Sequence, residues 1–366
     1  MPLVADVAGY LDRFAPPGLA ADWDNVGLLL GDLANPAFRI LTCLTVTPDV
    51  VQEALDESCE MIVTHHPVLF RGAKRFTSTS PDGRLLLPLI QANIAVYSPH
   101  TAFDNCPGGI NDGLCYRLGL ENVVPLRKRD GQRDFKLVAF VPTADLNKVS
   151  DALFAAGAGH IGHYEQCSFR TEGTGTFFGT EGTNPTVGES GRREEVNELR
   201  LEVAVPEGKV DAVIAALRSS HSYEEPAFDV YPLRAGSGGG EGRIGDLPEP
   251  VQLGELVQRM KAKLRATAMQ FVGDPAKPIT RIGVACGAAG EFLKDAMKAG
   301  AEAFLTGEMR FHDLLTAEAA GIAIILPGHY ASERPGVEDL ASRLNSTFTG
   351  VTVWASRRER DPLQVV

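Results

Sequence analysis

The sequence lacks the cysteine patterns of redox motifs and zinc modules. Its six cysteines form no C-x-x-C pair and no zinc-finger spacing: Cys43, Cys59, Cys106, Cys115, Cys167 and Cys286. A thioredoxin-type motif and a cysteine-based zinc module are therefore excluded. Most of these cysteines lie inside apolar stretches, so we interpret them as reduced core residues.

Long hydrophobic runs and clusters of positive charge are also missing. No stretch approaches the roughly 20 apolar residues that span a bilayer, and the N-terminus has no basic region followed by an apolar one. We therefore expect a cytoplasmic protein with no membrane partner. The formal net charge is -12, and the one basic cluster, Arg127-Lys128-Arg129, is short. This argues against a nucleic-acid partner, and a solvated loop explains the cluster.

Strand and helix patterns alternate in the first part of the chain. The chain has 366 residues, 44% of them hydrophobic, which is enough for two or three domains with cores of their own. The stretches "FRILTCLTVT", "VVQEALDESC" and "MIVTHHP" predict a strand, a helix and a strand, which form a βαβ unit. After them, "GRLLLPLIQAN" predicts a helix, and "IAVYSPHTAFDN" predicts a strand that leads into a loop or helix.

The same order returns near the C-terminus. "TRIGVACG", "GEFLKDAMKAG", "AEAFLTGE", "FHDLLTAEAAG" and "IAIILPGHYASE" alternate between strand and helix patterns. Ile40 to Thr64 and Ile282 to Thr306 both span 24 positions. We therefore predict an α/β fold with two related α/β halves. The Gly-rich "GVACGAAGEF" lacks the ending of a P-loop, so we interpret it as tight packing between strand and helix.

A segment of different character separates the two halves. "DFKLVAFVPTADLNKVSDALFAAGAG" predicts a strand, a proline turn and a helix. "ELRLEVAVPEGKVDAVIAALRSSHSYEEPAFDVYPL" predicts the same order with a closing strand, and two such units suit a ferredoxin-like α+β sandwich. The flexible "RAGSGGGEGR" at 234–243 is typical of a linker. We place the first core half at 1–129, an inserted domain at 130–235 and the second core half at 236–366.

Two adjacent histidines follow an apolar run in "EMIVTHHPVLF", residues 60–70. Pro67 cannot donate to a strand ladder, so we expect the strand to stop at His65 and His66. They would then lie at a carboxyl end of a strand, where α/β folds tend to carry ligand sites. Neighbouring side chains of an extended chain point to opposite sides. The two histidines can therefore serve one centre only if the chain turns there or if two ions flank it.

Three further residues occupy corresponding places in the two halves. Asp104, His329 and Glu333 each follow an apolar strand, and such strand ends can converge in space. Imidazoles and carboxylates suit Zn, Mn or Fe, and a carboxylate can bridge two ions. If "GHYASERPG" begins a helix, His329 and Glu333 share one face. A buried hydrogen bond between those two side chains is the alternative explanation.

Other polar residues are candidates for the same cleft. Glu308 and His312 in "LTGEMRFHD" follow the strand that mirrors "IVTHHP", so they could act as catalytic acid, base or supporting groups. His100 stands four residues before Asp104, as His329 stands before Glu333. It could be a ligand by analogy, or it could orient Asp104. Helix-cap or surface roles would also explain these three residues.

Several of these stretches resemble one family. "WDNVGLLLGD", "IVTHHPVLF", "IAVYSPHTAFDN", "FLTGEMRFHD" and "GHYASERPGV" are similar to successive motifs of the GTP cyclohydrolase 1 type 2 homologue family, also called NIF-three-like dinuclear metal-centre proteins. The middle segment, with "GAGHIGHYEQCSFRTEGTGTFF" and "HSYEEPAFDVYPL", resembles the PII-like or CutA-like domain that longer bacterial members insert between the halves.

The resemblance implies a two-metal site and an assembly. The family's ligands fall on His65, His66, Asp104, His329 and Glu333, which implies two divalent ions per chain. The family also forms hexameric toroids, so a homo-hexamer is implied. The family name implies GTP ring opening by a metal-activated water, and similar sites hydrolyse phosphoesters and amides. The alternative is a non-catalytic scaffold, metallochaperone or regulator whose PII-like domain senses a small-molecule effector.

Overall fold

The chain divides into two compact units. The computed structural model describes residues 2–72, 75–129, 134–161, 164–233 and 239–365. Met1–Arg129 and Gly238–Val366 form one unit, called the core unit here, and Asp130–Ser237 form the other, called the inserted unit. Within the predicted linker, residues 234–238 lie outside the described residues.

The strands of the described residues are between two and fourteen residues long. In chain order they are β1 Gly27–Leu30, β2 Arg39–Cys43, β3 Met61–Thr64, β4 Ala95–Ser98, β5 Glu121–Val124, β6 Arg127–Lys128, β7 Asp134–Pro142, β8 Phe169–Phe178, β9 Arg193–Pro206, β10 Phe228–Pro232, β11 Gly240–Glu241, β12 Arg243–Gln252, β13 Gln270–Val272, β14 Pro278–Ala285, β15 Ala303–Thr306, β16 Ala323–Leu326 and β17 Thr352–Ala355.

The α-helices alternate with these strands. In chain order they are α1 Val4–Phe14, α2 Pro48–Asp56, α3 Pro81–Gln91, α4 His100–Asn105, α5 Ile110–Leu118, α6 Leu146–Ala155, α7 Val210–Ser220, α8 Leu253–Leu264, α9 Leu293–Lys298, α10 Phe311–Ala320 and α11 His329–Thr347. Across the described residues, no helix combines the length and the apolar character that crossing a bilayer requires.

Two mixed sheets build the core unit. The first has the order β1-β4-β3-β2-β17, and the second has the order β13-β16-β15-β14-β12-β5. In the first sheet, β17, β2, β3 and β4 run parallel and β1 is antiparallel at the edge. In the second sheet, β14, β15 and β16 run parallel, with antiparallel strands on either side. The βαβ unit predicted from the sequence is confirmed as β2, α2 and β3.

The two halves share strand register as well as element order. Ile40 of β2 pairs with Met61 of β3, and Ile282 of β14 pairs with Ala303 of β15, so the separation along the chain is the same in both pairs. Each central strand then leads through a helix to a third parallel strand. Corresponding strand ends are therefore placed by the same local geometry in each half.

One hydrophobic core joins the inner faces of the two sheets. Met61 and Val63 of β3 point into this shared core, together with Leu305 of β15. Because successive strand residues face opposite sides, Ile62 packs instead with α2 and α3, and Phe304 packs with α9 and α10. Strands buried on both faces explain the nearly continuous apolar runs in the sequence.

The basic cluster and the end of the predicted linker are structured, which corrects two predictions. Arg127 and Lys128 form β6, which pairs with β11, so the cluster is not a solvated loop. Arg127 lies 2.6 Å from Asp295, and Arg129 lies 2.9 Å from Glu241. Residues 239–243 contain β11 and the start of β12, and the side chain of Arg243 is buried. Acidic partners distant in sequence, which local patterns do not reveal, order this region.

The inserted unit has the order βαββαβ in sequence. Its four strands form an antiparallel sheet in the order β10-β7-β9-β8. Leu137 and Leu201 on one face of that sheet pack against Val149 of α6 and Leu217 of α7. This arrangement is the ferredoxin-like one. The assignment to a PII-like or CutA-like domain stays a prediction.

We predict that the core unit folds without the inserted unit. The core chain leaves and returns at neighbouring points, because the Arg129 amide donates to the Gly239 carbonyl at 3.4 Å. Joining these two residues through an Asn-Gly turn would close β6 and β11 into a hairpin. We expect a soluble product with one cooperative thermal transition, measured by circular dichroism. Insoluble or molten protein would show that the inserted unit is part of the core's folding unit.

Candidate metal centre

His65 and His66 follow β3 directly. The His65 amide donates to the Cys43 carbonyl at 2.9 Å and the His66 amide donates to the Leu44 carbonyl at 2.8 Å, so both remain beside the neighbouring strand. The predicted end of the strand at the histidines is confirmed. His65 is buried, and neither ring nitrogen has a hydrogen-bond partner within the described part of the chain. Burial lowers the pKa of His65 well below its ordinary value.

His329 and Glu333 share one face of α11. This helix begins at His329, and His329 Nε2 lies 3.1 Å from Glu333 Oε2. His66 Nε2 lies 3.0 Å from the same oxygen, so two imidazoles from different halves approach one carboxylate oxygen. The pKa of His329 is raised to about 9, chiefly by its hydrogen bond to Glu333. Burial would raise the pKa of Glu333, but hydrogen bonds from His329 and His66 hold it below its usual range.

Asp104 and the second oxygen of Glu333 face His65. His65 Nε2 lies 3.5 Å from Asp104 Oδ1 and 3.9 Å from Glu333 Oε1. The two oxygens of Glu333 are thus directed at different histidines, as in a carboxylate that bridges two ions. Burial, followed by the charge of Glu333, raises the pKa of Asp104 to about 7. The Cys286 thiol, interpreted above as a core residue, is buried and donates to Asp104 Oδ1 at 3.1 Å.

The structure therefore brings the predicted ligands together. We call His65, His66, Asp104, His329 and Glu333 the histidine–carboxylate cluster. One ligand atom each from His66, His329 and Glu333 lies within 4.8 Å of the others, and the same holds for His65, His66 and His100. Buried imidazole nitrogens without partners are costly unless something binds them. This donor set fits divalent Zn, Mn or Fe.

The two predicted catalytic residues lie in different surroundings. Glu308 Oε1 lies 3.1 Å from His329 Nδ1, and the Glu308 side chain is 56% exposed. His312 is exposed in the first turn of α10, where its ring contacts that of Phe311. Among the described residues, no hydrogen bond or ion pair links His312 to the histidine–carboxylate cluster. Of the two, Glu308 is thus the one in direct contact with a residue of the cluster.

Thr45 and Glu359 support His66, and the sequence analysis did not find them. Thr45 Oγ1 lies 2.7 Å from His66 Nδ1. Glu359 accepts the Thr45 amide at 2.7 Å and the Leu44 amide at 2.9 Å, while Arg334 donates to it at 2.6 Å. This network fixes the loop after β2 and hence the His66 ring. Glu359 lies more than three hundred positions from Thr45 in sequence, so no local pattern could reveal the pair.

A second buried carboxylate holds the segment that carries Glu359. Glu53 of α2 accepts hydrogen bonds from the Trp354 indole at 3.1 Å and from the Arg357 amide at 3.0 Å. The Ser356 hydroxyl donates to the same carboxylate. The backbone after β17 is therefore attached to the first half of the core unit, and it carries Glu359 to the loop beside His66.

Gly287 leaves space for the carboxylate of Glu333. It has a positive φ of 63°, and a Cβ atom there would lie 2.3 Å from Glu333 Oε1. The Gly-rich stretch "GVACGAAGEF" was interpreted as packing between strand and helix. The structure adds that its first glycine after Cys286 lies against Glu333. The positive φ and the close approach both require glycine at this position.

We predict that Gly287→Ala displaces Glu333 and lowers metal binding. Gly321 has a similar φ of 71° but nothing within 4 Å of an added Cβ, so Gly321→Ala is a matched control for backbone strain. We expect both variants to lose about 1–2 kcal/mol of stability from the left-handed backbone. Only Gly287→Ala should also lose bound metal, measured by elemental analysis. Equal metal content in the two variants would contradict this role of Gly287.

A cavity of about 750 Å³ opens beside the cluster. Its walls include His66, His329, Glu308 and Tyr330, together with the segment around Arg358. Such a volume is within the range of small-molecule sites. The cavity therefore gives small molecules access to the imidazoles of both halves.

Comparison with known proteins identifies the family. The model of the Duf34/NIF3 family, NGG1p interacting factor 3, matches residues 2–362. The chain belongs to this family. A Duf34/NIF3 relative from Halalkalibacterium halodurans, named GTP cyclohydrolase 1 type 2 homolog, is 37% identical over 364 residues, which cover 98% of each chain. A relative of the same name from Bacillus subtilis is 35% identical over 355 residues, covering 96% of this chain and 95% of its own.

Solved structures agree with the family assignment. A Bacillus cereus protein related to NIF3 is 34% identical, with a TM-score of 0.77 over 100% of this chain and 99% of its own. The resemblance to the GTP cyclohydrolase 1 type 2 homologue family, predicted from five motifs, is therefore confirmed. The mixed α/β architecture of several sheets is consistent with the Duf34/NIF3 fold.

Proposed function

We propose that the histidine–carboxylate cluster holds two divalent ions and that the protein is a metal-dependent hydrolase. The observation that carries this proposal is the arrangement around Glu333, whose two oxygens are directed at His65 on one side and at His66 and His329 on the other. Asp104 completes the side of His65. Zn, Mn and Fe all suit this mixture of nitrogen and oxygen donors.

The residues around the cluster suit hydrolysis. Two divalent ions a few ångströms apart lower the pKa of coordinated water and stabilise attacking and leaving oxygens. Thr45 fixes the ring of His66, so the donor nitrogen keeps one direction. Glu308 is exposed to the cavity and lies beside His329, where a carboxylate can accept a proton and return it.

GTP is the first substrate to test. The relatives named above are called GTP cyclohydrolase 1 type 2 homolog. A purine ring needs a flat apolar surface to stack on. Trp23 is 62% exposed, its ring lies 5.7 Å from that of Phe70, and it lies 6.0 Å from that of His100. Exposed aromatic rings beside the cluster support a planar substrate, because aromatic faces stack on heterocycles.

A regulatory function is the second candidate. The inserted unit contains a cavity of about 550 Å³, lined by Phe140, Arg200 and Tyr223 among other residues. The buried hydroxyl of Tyr223 has no hydrogen-bond partner in the described part of the chain. These features support a small-molecule effector in a PII-like unit. Under either function we expect a homo-hexamer, as the family resemblance implies.

A substrate screen separates the two functions. Metal-loaded protein would be incubated with GTP, with phosphoesters and with amides, while chromatography follows substrate loss and product. A chelator-treated sample is the control. We expect turnover only in the metal-loaded sample. If no substrate is consumed above the control, while a metabolite binds and changes the sedimentation of the assembly, the hydrolase proposal is wrong and the regulatory one replaces it.

A further inference from the structure

A buried aspartate orients His100 beside the histidine–carboxylate cluster. His100 Nδ1 lies 2.7 Å from Asp24 Oδ1, and the Asp24 side chain is completely buried. The other oxygen, Asp24 Oδ2, accepts the amide and the hydroxyl of Thr101. A neutral His100 ring that donates its Nδ1 proton to Asp24 Oδ1 keeps its lone pair on Nε2.

The ring of His100 faces the predicted ligands. Its centroid lies 5.1 Å from that of His65 and 5.6 Å from that of His66. One nitrogen from each of these three rings falls within 4.8 Å of the others. A modest side-chain movement would bring three such atoms to the distance of about 2.0–2.1 Å that a common zinc ion requires.

The backbone at His100 is unusual. His100 has a φ of 26°, which a residue with a side chain rarely adopts. Strained conformations of this kind persist where the surrounding structure enforces them, often at ligand sites. His100 is also the first residue of α4, four positions before Asp104, just as His329 is the first residue of α11, four positions before Glu333. The two halves therefore present the same pair of side chains from equivalent helix starts.

We propose that His100 is a sixth metal ligand, through Nε2, and that Asp24 fixes the tautomer that makes this possible. This inference rests on the proposed function, because it needs the two-ion centre. Metal-bound histidines almost always donate their second nitrogen to a carboxylate or carbonyl group. Asp24, His100 and the ion would form such a series. A histidine–aspartate pair with a purely structural role would leave metal binding unchanged.

Metal titration of four variants tests the proposal. Chelator-treated protein would be titrated with Co²⁺ by calorimetry and by visible absorption. In Asp24→Asn, the amide and hydroxyl of Thr101 should both donate to the new amide oxygen. The NH₂ group of the new side chain would then face His100 Nδ1 and donate to it. The single ring proton of neutral His100 would therefore move to Nε2. We expect this variant to bind one ion about 10–100-fold more weakly, as for other orienting partners of metal ligands. His100→Ala should lose at least as much affinity for that ion, with a changed Co²⁺ spectrum.

Two controls match these changes. Asp22→Asn removes a charge from a fully exposed aspartate two positions from Asp24, and His160→Ala removes an exposed histidine of the inserted unit. Both variants should bind Co²⁺ with the same affinity and the same absorption spectrum as the unchanged protein. Added imidazole should restore part of the lost affinity in His100→Ala. If His100→Ala does not fold, the absorption spectrum of Asp24→Asn decides the question.

The outcomes separate this inference from the proposed function. Two binding events and an unaltered Co²⁺ spectrum in both His100→Ala and Asp24→Asn would overturn the sixth ligand and leave the five-residue centre intact. A protein that binds no ion before any substitution would overturn the centre itself. Weaker binding of one ion in both variants, with unchanged controls, supports the assignment of His100.

Discussion

Chelator-free protein is expected to carry about two divalent ions per chain, and His66→Ala combined with Glu333→Ala should remove most of them. The double change deletes the carboxylate that contacts three histidines and one of the imidazoles that approach it. The cluster would then lack the one carboxylate whose two oxygens contact its histidines on both sides. Elemental analysis of the purified protein measures the loss.

A matched double variant controls for folding and for nonspecific binding. His160→Ala with Glu318→Ala removes the same two residue types from exposed positions, so its metal content should stay at that of the unchanged protein. Circular dichroism checks that both double variants are folded. Metal content that is equal in the two double variants would contradict the ligand assignment. The single change Glu333→Gln keeps the shape of the side chain and should by itself weaken the binding of both ions.

Glu308→Gln is expected to keep the metal and lose turnover. Glu308 contacts His329 through the nitrogen that faces away from the cluster, so the ligand atom of His329 stays in place. A glutamine cannot accept and return a proton. Loss of a general acid or base typically slows a reaction by about 10²–10⁴-fold. The rate constant with the best substrate from the screen, measured at saturating substrate, gives the size of the effect.

Two comparisons sharpen this test. Glu318→Gln changes an exposed glutamate on α10 and should keep full activity. His312→Ala tests the other predicted catalytic residue, and we expect a much smaller effect because, among the described residues, its side chain has no hydrogen bond or ion pair with the cluster and instead contacts Phe311. A normal rate in Glu308→Gln together with a large loss in His312→Ala would reverse the two assignments.

Local patterns predicted the elements that carry the site. Apolar runs located β2, β3, β4, β14, β15 and β16, since strands buried on both faces leave a continuous hydrophobic signal. Proline after "THH" marked the end of β3, and the spacing of "GHYASE" placed His329 and Glu333 on one helical face. The sequence repeat also predicted that the candidate ligands of the two halves lie close together, because corresponding strands end in corresponding places.

Contacts between distant residues were outside the reach of such patterns. Glu359 reaches Thr45, Asp24 reaches His100, and each pair is joined only by the tertiary fold. Gly287 gave a visible Gly-rich signal, but the carboxylate it accommodates is on another element. The short pair β6–β11 was missed for the same reason, since two-residue strands have no periodicity and depend on their partners.

The attachment of the segment after β17 has a practical consequence. Residues 356–361 hold the loop of Thr45 through Glu359, and Glu53 anchors that segment. Proteolysis that removed the residues after Ala355 would remove Glu359 and free the His66 ring, although every cluster residue would still be present. Preparations clipped at this point would bind metal heterogeneously, so intact-mass spectrometry should accompany any metal stoichiometry.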